Sequence, residues 1–247
     1  MTMNKLQDID ASLLPEITTT EGSLAQRVHH SLKTAILALD FPPGANLRKA
    51  PVCERLGVSR APVADAIARL ASEGLVDVVP QSGTRVSYFS MDEIREGAFL
   101  REALELATVA KVTRDLTEDQ RKRLSRNMRL QELLIEDDDI PGFYQADEEF
   151  HGMLMDFTGF RRLANVAQNV SLQVSRARML LLPTPGRIAE TLAEHKAIFD
   201  AICSRNEQAA QDAMRAHLGQ LMPRIEELRQ QKPHLFNLTQ QSHSEAG

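Results

Sequence analysis

Asp147 and His151 stand four residues apart in a stretch with helical periodicity, so both side chains leave the same side of one helix. Their stripe continues through Tyr144, Leu154 and Thr158, a largely inward face. His195 falls between Leu192 and Phe199/Ile202, and His217 between Ala213/Met214 and Leu221. Each therefore lies on the apolar side of its own helix. Three imidazoles from three helices, with one carboxylate a turn before the first, can converge in a bundle core. That donor set suits Zn²⁺, Ni²⁺, Mn²⁺ or Fe²⁺ and leaves positions open on a five- or six-coordinate ion. The plainer reading of each inward histidine is a hydrogen-bonded core residue, and spacing alone does not bring the three helices together. A metal so held could also activate water. Glu148, Glu149 and Glu194 adjoin the cluster in sequence, but no separate general base stands out.

A second chemistry is legible near the N-terminus. A DNA major groove about 12 Å wide accepts one α-helix, which needs a supporting helix at a sharp turn and small or polar outer residues. Leu56-Gly57-Val58-Ser59-Arg60 supplies such a turn, with Gly57 for an unusual backbone angle and Leu56 and Val58 as anchors. Arg60, Ala61, Ala64 and Asp65 then face outward. Arg60 can fork onto guanine or clamp a phosphate. The Ser59 hydroxyl and the first N–H groups can hold a phosphate at the helix start. Past the helix, the wing tip from Gln81 to Arg85, with Ser82 and Gly83, can reach the minor groove.

The elements that must position these residues follow from pattern and punctuation. Leu24, Val28, Leu32, Ile36 and Leu39 predict a helix over 23–39, capped by Ser23 and stopped by Phe41-Pro42-Pro43-Gly44. A short helix over 49–56 ends at Gly57, and Ser59 caps a third with Pro62 in its first turn and Gly74 at its stop. Strands over 75–79 and 84–88 flank a Pro80-Gln81-Ser82-Gly83 hairpin turn. Ser90-Met91-Asp92-Glu93 is a capping box that opens a second domain. Helices are then expected over 91–114, 118–136, 140–158, 160–182, 185–204 and 207–230. The fold class is mainly α: a winged helix-turn-helix of three helices plus a β-hairpin, then an all-helical antiparallel bundle of about six helices. The domains read as a flexible arm at 1–20, a winged helix-turn-helix DNA-binding domain at 21–88, an all-helical domain at 89–235, to which the resemblance below assigns effector binding, and a disordered tail at 236–247.

Composition fits a chain split this way. The chain of 247 residues is 43% hydrophobic but 4% aromatic, so its core is aliphatic. Its net charge is -5, yet residues 21–88 hold eight basic and six acidic side chains, a mildly basic module on an acidic body. Cys53 and Cys203 lie far apart, which fits reduced thiols in the cytoplasm. No run approaches the roughly 20 apolar residues of a membrane span.

Residues 24–88 resemble the GntR family of transcription regulators. The resemblance rests on Phe41-Pro42-Pro43-Gly44 before Leu47, on Leu56-Gly57-Val58-Ser59-Arg60-Ala61-Pro62-Val63, on Ala66-Ile67 and Arg69-Leu70, on Glu73-Gly74-Leu75-Val76, and on Gly83 and Val86. It implies a winged helix-turn-helix on double-stranded operator DNA, with Arg48, Lys49, Ser59, Arg60, Ala61, Ala64, Ser82, Gly83 and Arg85 at the interface. Two usual contacts are missing: Ala64 stands where the family's recognition helix has Arg, and Ala50 where the FadR-like branch has one. Lys49 replaces a usual acidic residue, so the operator sequence is open.

Residues 92–231 resemble the FCD domain of FadR-like members, through Arg101-Glu102-Ala103-Leu104-Glu105, Asp147-x-x-x-His151, Glu194-His195 and Met214-Arg215-Ala216-His217-Leu218. Gly159-Phe160 departs from that domain's Gly-Asn. The resemblance implies one divalent metal, zinc first, on Asp147, His151, His195 and His217. It also implies a small organic acid (a sugar acid, hydroxy acid or dicarboxylate) clamped by Arg101, or by Arg176 or Arg178, whose ranking stays open. Arg101 has a plainer role as a salt bridge to Glu105. A homodimeric repressor is expected, with no membrane association. A metal-dependent hydrolase and a metal-free acid-binding regulator are the alternatives.

Overall fold

A computed structural model describes residues 8–17, 21–81, 83–181, 184 and 186–237. It divides into two compact units, one made of residues 1–93 with 231–247 and the other of residues 94–230.

The first unit contains α1 (Leu24–Leu37), α2 (Lys49–Leu56), α3 (Arg60–Ser72), β1 (Val76–Val79) and β2 (Gly83–Val86). Ser23 and Gln26 close a reciprocal capping box on α1. Gly57 sits in the left-handed region at φ 64°, where a side chain is disfavoured, and this turns the chain from α2 into α3. The strands pair antiparallel with Asp77 opposite Arg85. Val28, Leu32, Ile36, Phe41, Val52, Val63, Leu70 and Val86 form a fully buried core. The winged helix-turn-helix expected from the sequence is thus present.

Part of the expected flexible arm is ordered. Residues 8–17 contribute buried Ile9, Leu14 and Ile17 to this core. Arg27 and Arg55 donate to the carbonyls of Ile17 and Leu14, and the Ser31 hydroxyl donates to that of Pro15. Widely spaced apolar residues among polar ones give no periodic signal, although three side chains suffice to hold an irregular strap. The expected tail also begins too early. Phe236 is buried, and its ring lies 5.5 Å from that of fully buried Phe89. The Phe89 N–H donates to the Leu235 carbonyl, and the Asn237 N–H donates to the Phe89 carbonyl. Residues 238–247 of that tail lie outside the described residues.

The second unit is helical: most of α4 (Met91–Asp115), then α5 (Glu118–Glu136), α6 (Ile140–Phe157), α7 (Leu163–Val170), α8 (Leu172–Met179), α9 (Arg187–Cys203), α10 (Glu207–Gly219) and most of α11 (Leu221–Gln231). Caps at Thr117, Asp139 and Asn206 start α5, α6 and α10. Arg205 donates to the Thr113, Arg114 and Leu116 carbonyls, which satisfies the C-terminal end of α4.

Two of the six expected helical stretches are divided. The 207–230 stretch breaks at Gln220, three residues before Pro223, whose missing N–H and ring disfavour an unbroken turn. The 160–182 stretch breaks at Ser171, beside a close approach of α4. A Cβ added to Gly97 would lie 2.8 Å from the Val170 carbonyl oxygen and 3.1 Å from Val174 Cγ2. Gly97→Val is therefore expected to destabilise this unit by about 2–3 kcal/mol through overpacking, read as a lower thermal midpoint. An unchanged midpoint would remove the close packing from the account.

Candidate functional site

The bundle brings the four expected metal-ligating side chains together. Asp147 and His151 come from buried positions on α6, His195 from α9 and His217 from α10. One ring nitrogen from each histidine lies within 4.8 Å of the others. His151 Nε2 and His217 Nε2 stand 3.3 Å apart, and His195 Nε2 is 3.5 Å from Asp147 Oδ1. His195 Nε2 and Asp147 Oδ1 are buried with no hydrogen-bond partner. Buried polar atoms are normally paired, so this convergence of uncommitted donors suits a cation.

The other nitrogen of each ring is committed outward. His151 Nδ1 meets Glu105 Oε2 at 2.5 Å, His195 Nδ1 meets Gln131 Oε1 at 2.9 Å, and His217 Nδ1 meets Glu194 Oε2 at 2.6 Å. Gln131 is itself oriented, since its amide nitrogen donates to Asn127 Oδ1 at 2.7 Å while Asn127 donates to the Ala146 carbonyl. An amide oxygen only accepts, so His195 carries its proton on Nδ1 and turns a lone pair inward. Outer partners of this kind set the tautomer and orientation of metal-ligating histidines. Phe150 stacks on the His195 ring at 4.4 Å between centroids and fixes it further.

Electrostatics favour the same protonation states. Burial lowers the pKa of His195 and, less strongly, that of His217, so both rings are neutral at pH 7. Burial opposes ionisation of Asp147, but neighbouring positive charges, Arg178 first, together outweigh it and hold the carboxyl well below its usual range. Burial likewise opposes ionisation of Glu105, and His151 and then Arg101 outweigh it. The cluster therefore offers the neutral imidazoles of His195 and His217 and one carboxylate.

A cavity of about 40 Å³ opens against this cluster, with Arg101, Asp147, Arg178 and His217 in its wall. Arg101 is ion-paired to Glu105 at 2.6 Å, the structural role foreseen for it, and still lines the cavity. Arg178 also lines it, bonded to Asp147 and to Glu148. Arg176 is fully buried, donates to Gln173, and is not in that wall. Sequence reasoning had missed the roles of Gln131, Asn127 and Arg187. It had read Glu105 only as a partner of Arg101 and Glu194 only as a neighbour of His195. The available signal was the inward stripe of α5, where buried Asn127 and Gln131 alternate with Leu124 and Met128.

In the first unit, Lys49, Ala50, Arg60, Ala61 and Ala64 line one shallow concavity on the outer face of α2 and α3. Ser59 takes the N-cap position of α3 with no hydroxyl cap bond. Arg48 pairs with Asp8 and Arg85 with Asp77, each at 3.1 Å. Gly83 is exposed at the start of β2, and Ser82 lies outside the described residues.

Comparison with known proteins agrees with both halves. Residues 24–86 match the bacterial regulatory proteins of the gntR family, and residues 96–220 match the FCD domain. The HTH-type transcriptional repressor RspR of Escherichia coli is 29% identical over 212 residues, which cover 86% of this chain and 93% of that one. An HTH-type regulator from an unstable DNA locus of Streptomyces ambofaciens is 33% identical over 218 residues, covering 88% of this chain and 92% of that protein. The solved structure of E. coli McbR/YncC superposes with a TM-score of 0.74 at 20% identity, over 84% of this chain and 99% of that one, a likeness of fold. A winged helix-turn-helix followed by an FCD domain, matched across most of its length by named regulators, places this chain in the GntR family of bacterial transcription regulators.

Proposed function

We propose that this regulator is a homodimeric repressor whose helical domain holds one divalent metal and senses a small organic acid beside it. The observation that carries the reading is the arrangement of the three histidines. Each commits Nδ1 to an outer partner, the three rings bring one nitrogen each within 4.8 Å of the others, and His195 turns its Nε2 toward Asp147. His151, His195, His217 and Asp147 would be the ligands, a three-nitrogen, one-oxygen set that suits zinc first, and nickel, manganese or iron(II) as well. The bound ion would supply positive charge to an acid's carboxylate. Arg101 and Arg178, in the wall beside it, would pair with that acid. Lys49, Arg60, Ala61 and Ala64 would face the operator, with Arg48, Ser59, Ser82, Gly83 and Arg85 at its edges. Two heads must fit half-sites about one DNA turn apart, and an acid that favours one arrangement of the bodies shifts that fit.

The family and its relatives are regulators rather than enzymes. The acids near the cluster are also engaged: Glu194 by His217 and Arg187, and Glu148 by Arg178. Metal analysis of the purified chain tests the proposal. About one ion per chain is expected, and Glu105→Gln should weaken binding by roughly 10–100-fold, since the carboxylate orients His151. A wild-type chain that takes up no stoichiometric metal when any of the four ions is supplied would defeat the reading.

A further inference from the structure

One face of α5 is left uncovered by its own domain. Leu124, Asn127, Met128 and Gln131 make the buried side of this helix. Away from them, Arg126, Leu130, Leu133 and Asp137 recur at spacings of four, three and four, which sets them in one stripe. Asp137, the C-cap, keeps a helical backbone and so stays in register. Leu130 is 41% exposed and Leu133 55%, whereas every other exposed residue of α5 is charged.

The charges around the two leucines are uncommitted. Arg126, Arg129, Glu136 and Asp137 make no ion pair among the described residues, while elsewhere on the helix Arg121 pairs with Glu118 and Glu132 with Lys196. They are also sorted by sign. Glu118 and Asp119 stand in the first turn, where a helix N-terminus favours acids. Beyond that turn the exposed charges are basic from Arg121 to Arg129 and acidic from Glu136 to Asp139. Such a helix complements a copy of itself only when the two run antiparallel. Laid parallel in register, Arg126 would meet Arg126 and Asp137 would meet Asp137.

Resting on the homodimer proposed above, we infer that α5 packs antiparallel on the α5 of a second copy, about a two-fold axis midway between Leu130 and Leu133. A two-fold interface must be self-complementary, and this stripe is. Leu130 meets the partner's Leu133, and Arg126 meets the partner's Asp137. Arg129 and Glu136 lie on the same edge of the stripe, so Arg129 faces the partner's Glu136. The symmetry makes each contact twice. Leucines at the centre with charges at the margin is the usual anatomy of a protein interface.

Sedimentation equilibrium of the full-length chain tests this. The wild type is expected to be dimeric. Leu133→Arg, Arg126→Asp and Asp137→Arg should each raise the dimer dissociation constant at least about tenfold, since each sets like charges or a buried charge across the axis, and does so twice. All three sites are exposed, and an arginine at the C-cap suits the helix C-terminus, so the fold is expected to survive. The double variant Arg126→Asp with Asp137→Arg swaps the pair and should restore the dimer to within about threefold of wild type, a coupling that neighbouring groups alone show. A wild type that stays monomeric at every concentration would overturn both this inference and the homodimer. A dimer that none of the three single variants weakens, or a double variant as weak as the single ones, would overturn the inference and leave the homodimer standing.

Discussion

The His195→Ala chain is expected to emerge from purification with less than about 0.1 metal ions where the wild type carries about one. His195 is fully buried and turns its only uncommitted nitrogen toward Asp147. A four-ligand zinc site contributes on the order of 10–16 kcal/mol, so one ligand in four is worth about 3 kcal/mol, beyond a hundredfold in affinity. Loss of the ring also strips Phe150 of its stacking partner and Gln131 of its donor. Stability should follow occupancy. Metal at 1,000 times its dissociation constant adds about 4.1 kcal/mol, roughly 8–16 °C in melting temperature for a domain of this size. The wild type should show that shift on metal addition and the variant should not. His30→Ala, at an exposed site on α1, is the matched control. A variant that keeps stoichiometric metal would exclude His195 as a ligand.

The second large effect is expected in the head. Arg60→Ala should weaken operator binding by roughly 5–150-fold, the range of one bidentate guanine contact worth about 1–3 kcal/mol. Arg60 opens α3, is exposed, and has no ion pair among the described residues. Arg48 and Arg85 each start from a carboxylate partner that a phosphate must displace. Lys49→Ala should instead weaken all duplexes alike and reduce the salt slope by about one. Fluorescence anisotropy on operator and scrambled duplexes, across a salt series, separates the two. Equal losses on both duplexes would make Arg60 a phosphate clamp, and no loss would remove it from the interface.

Helix starts were largely legible in the sequence, because Ser23, Thr117 and Asn206 act through the local backbone. Of the two breaks, only that before Pro223 carried a local signal. Ser171 did not, because the feature beside it is Gly97 on a distant helix. The four candidate ligands were legible by residue type and inward spacing. Their outer partners were not, since Gln131, Asn127 and Glu105 look like ordinary polar helix residues until the helices pack. The strap at 8–17 was missed because its order comes from the groove it lies in rather than from any period of its own.

The pairing of Phe236 with Phe89 has a consequence for the order of synthesis. Phe89 leaves the ribosome early, and the ring that covers it is encoded 147 residues later. At roughly 5–20 residues per second, that interval is about 7–30 s. Throughout it the first-made unit lacks the partner ring of Phe89. The DNA-reading half is therefore begun first and closed last, after the whole helical half has been translated.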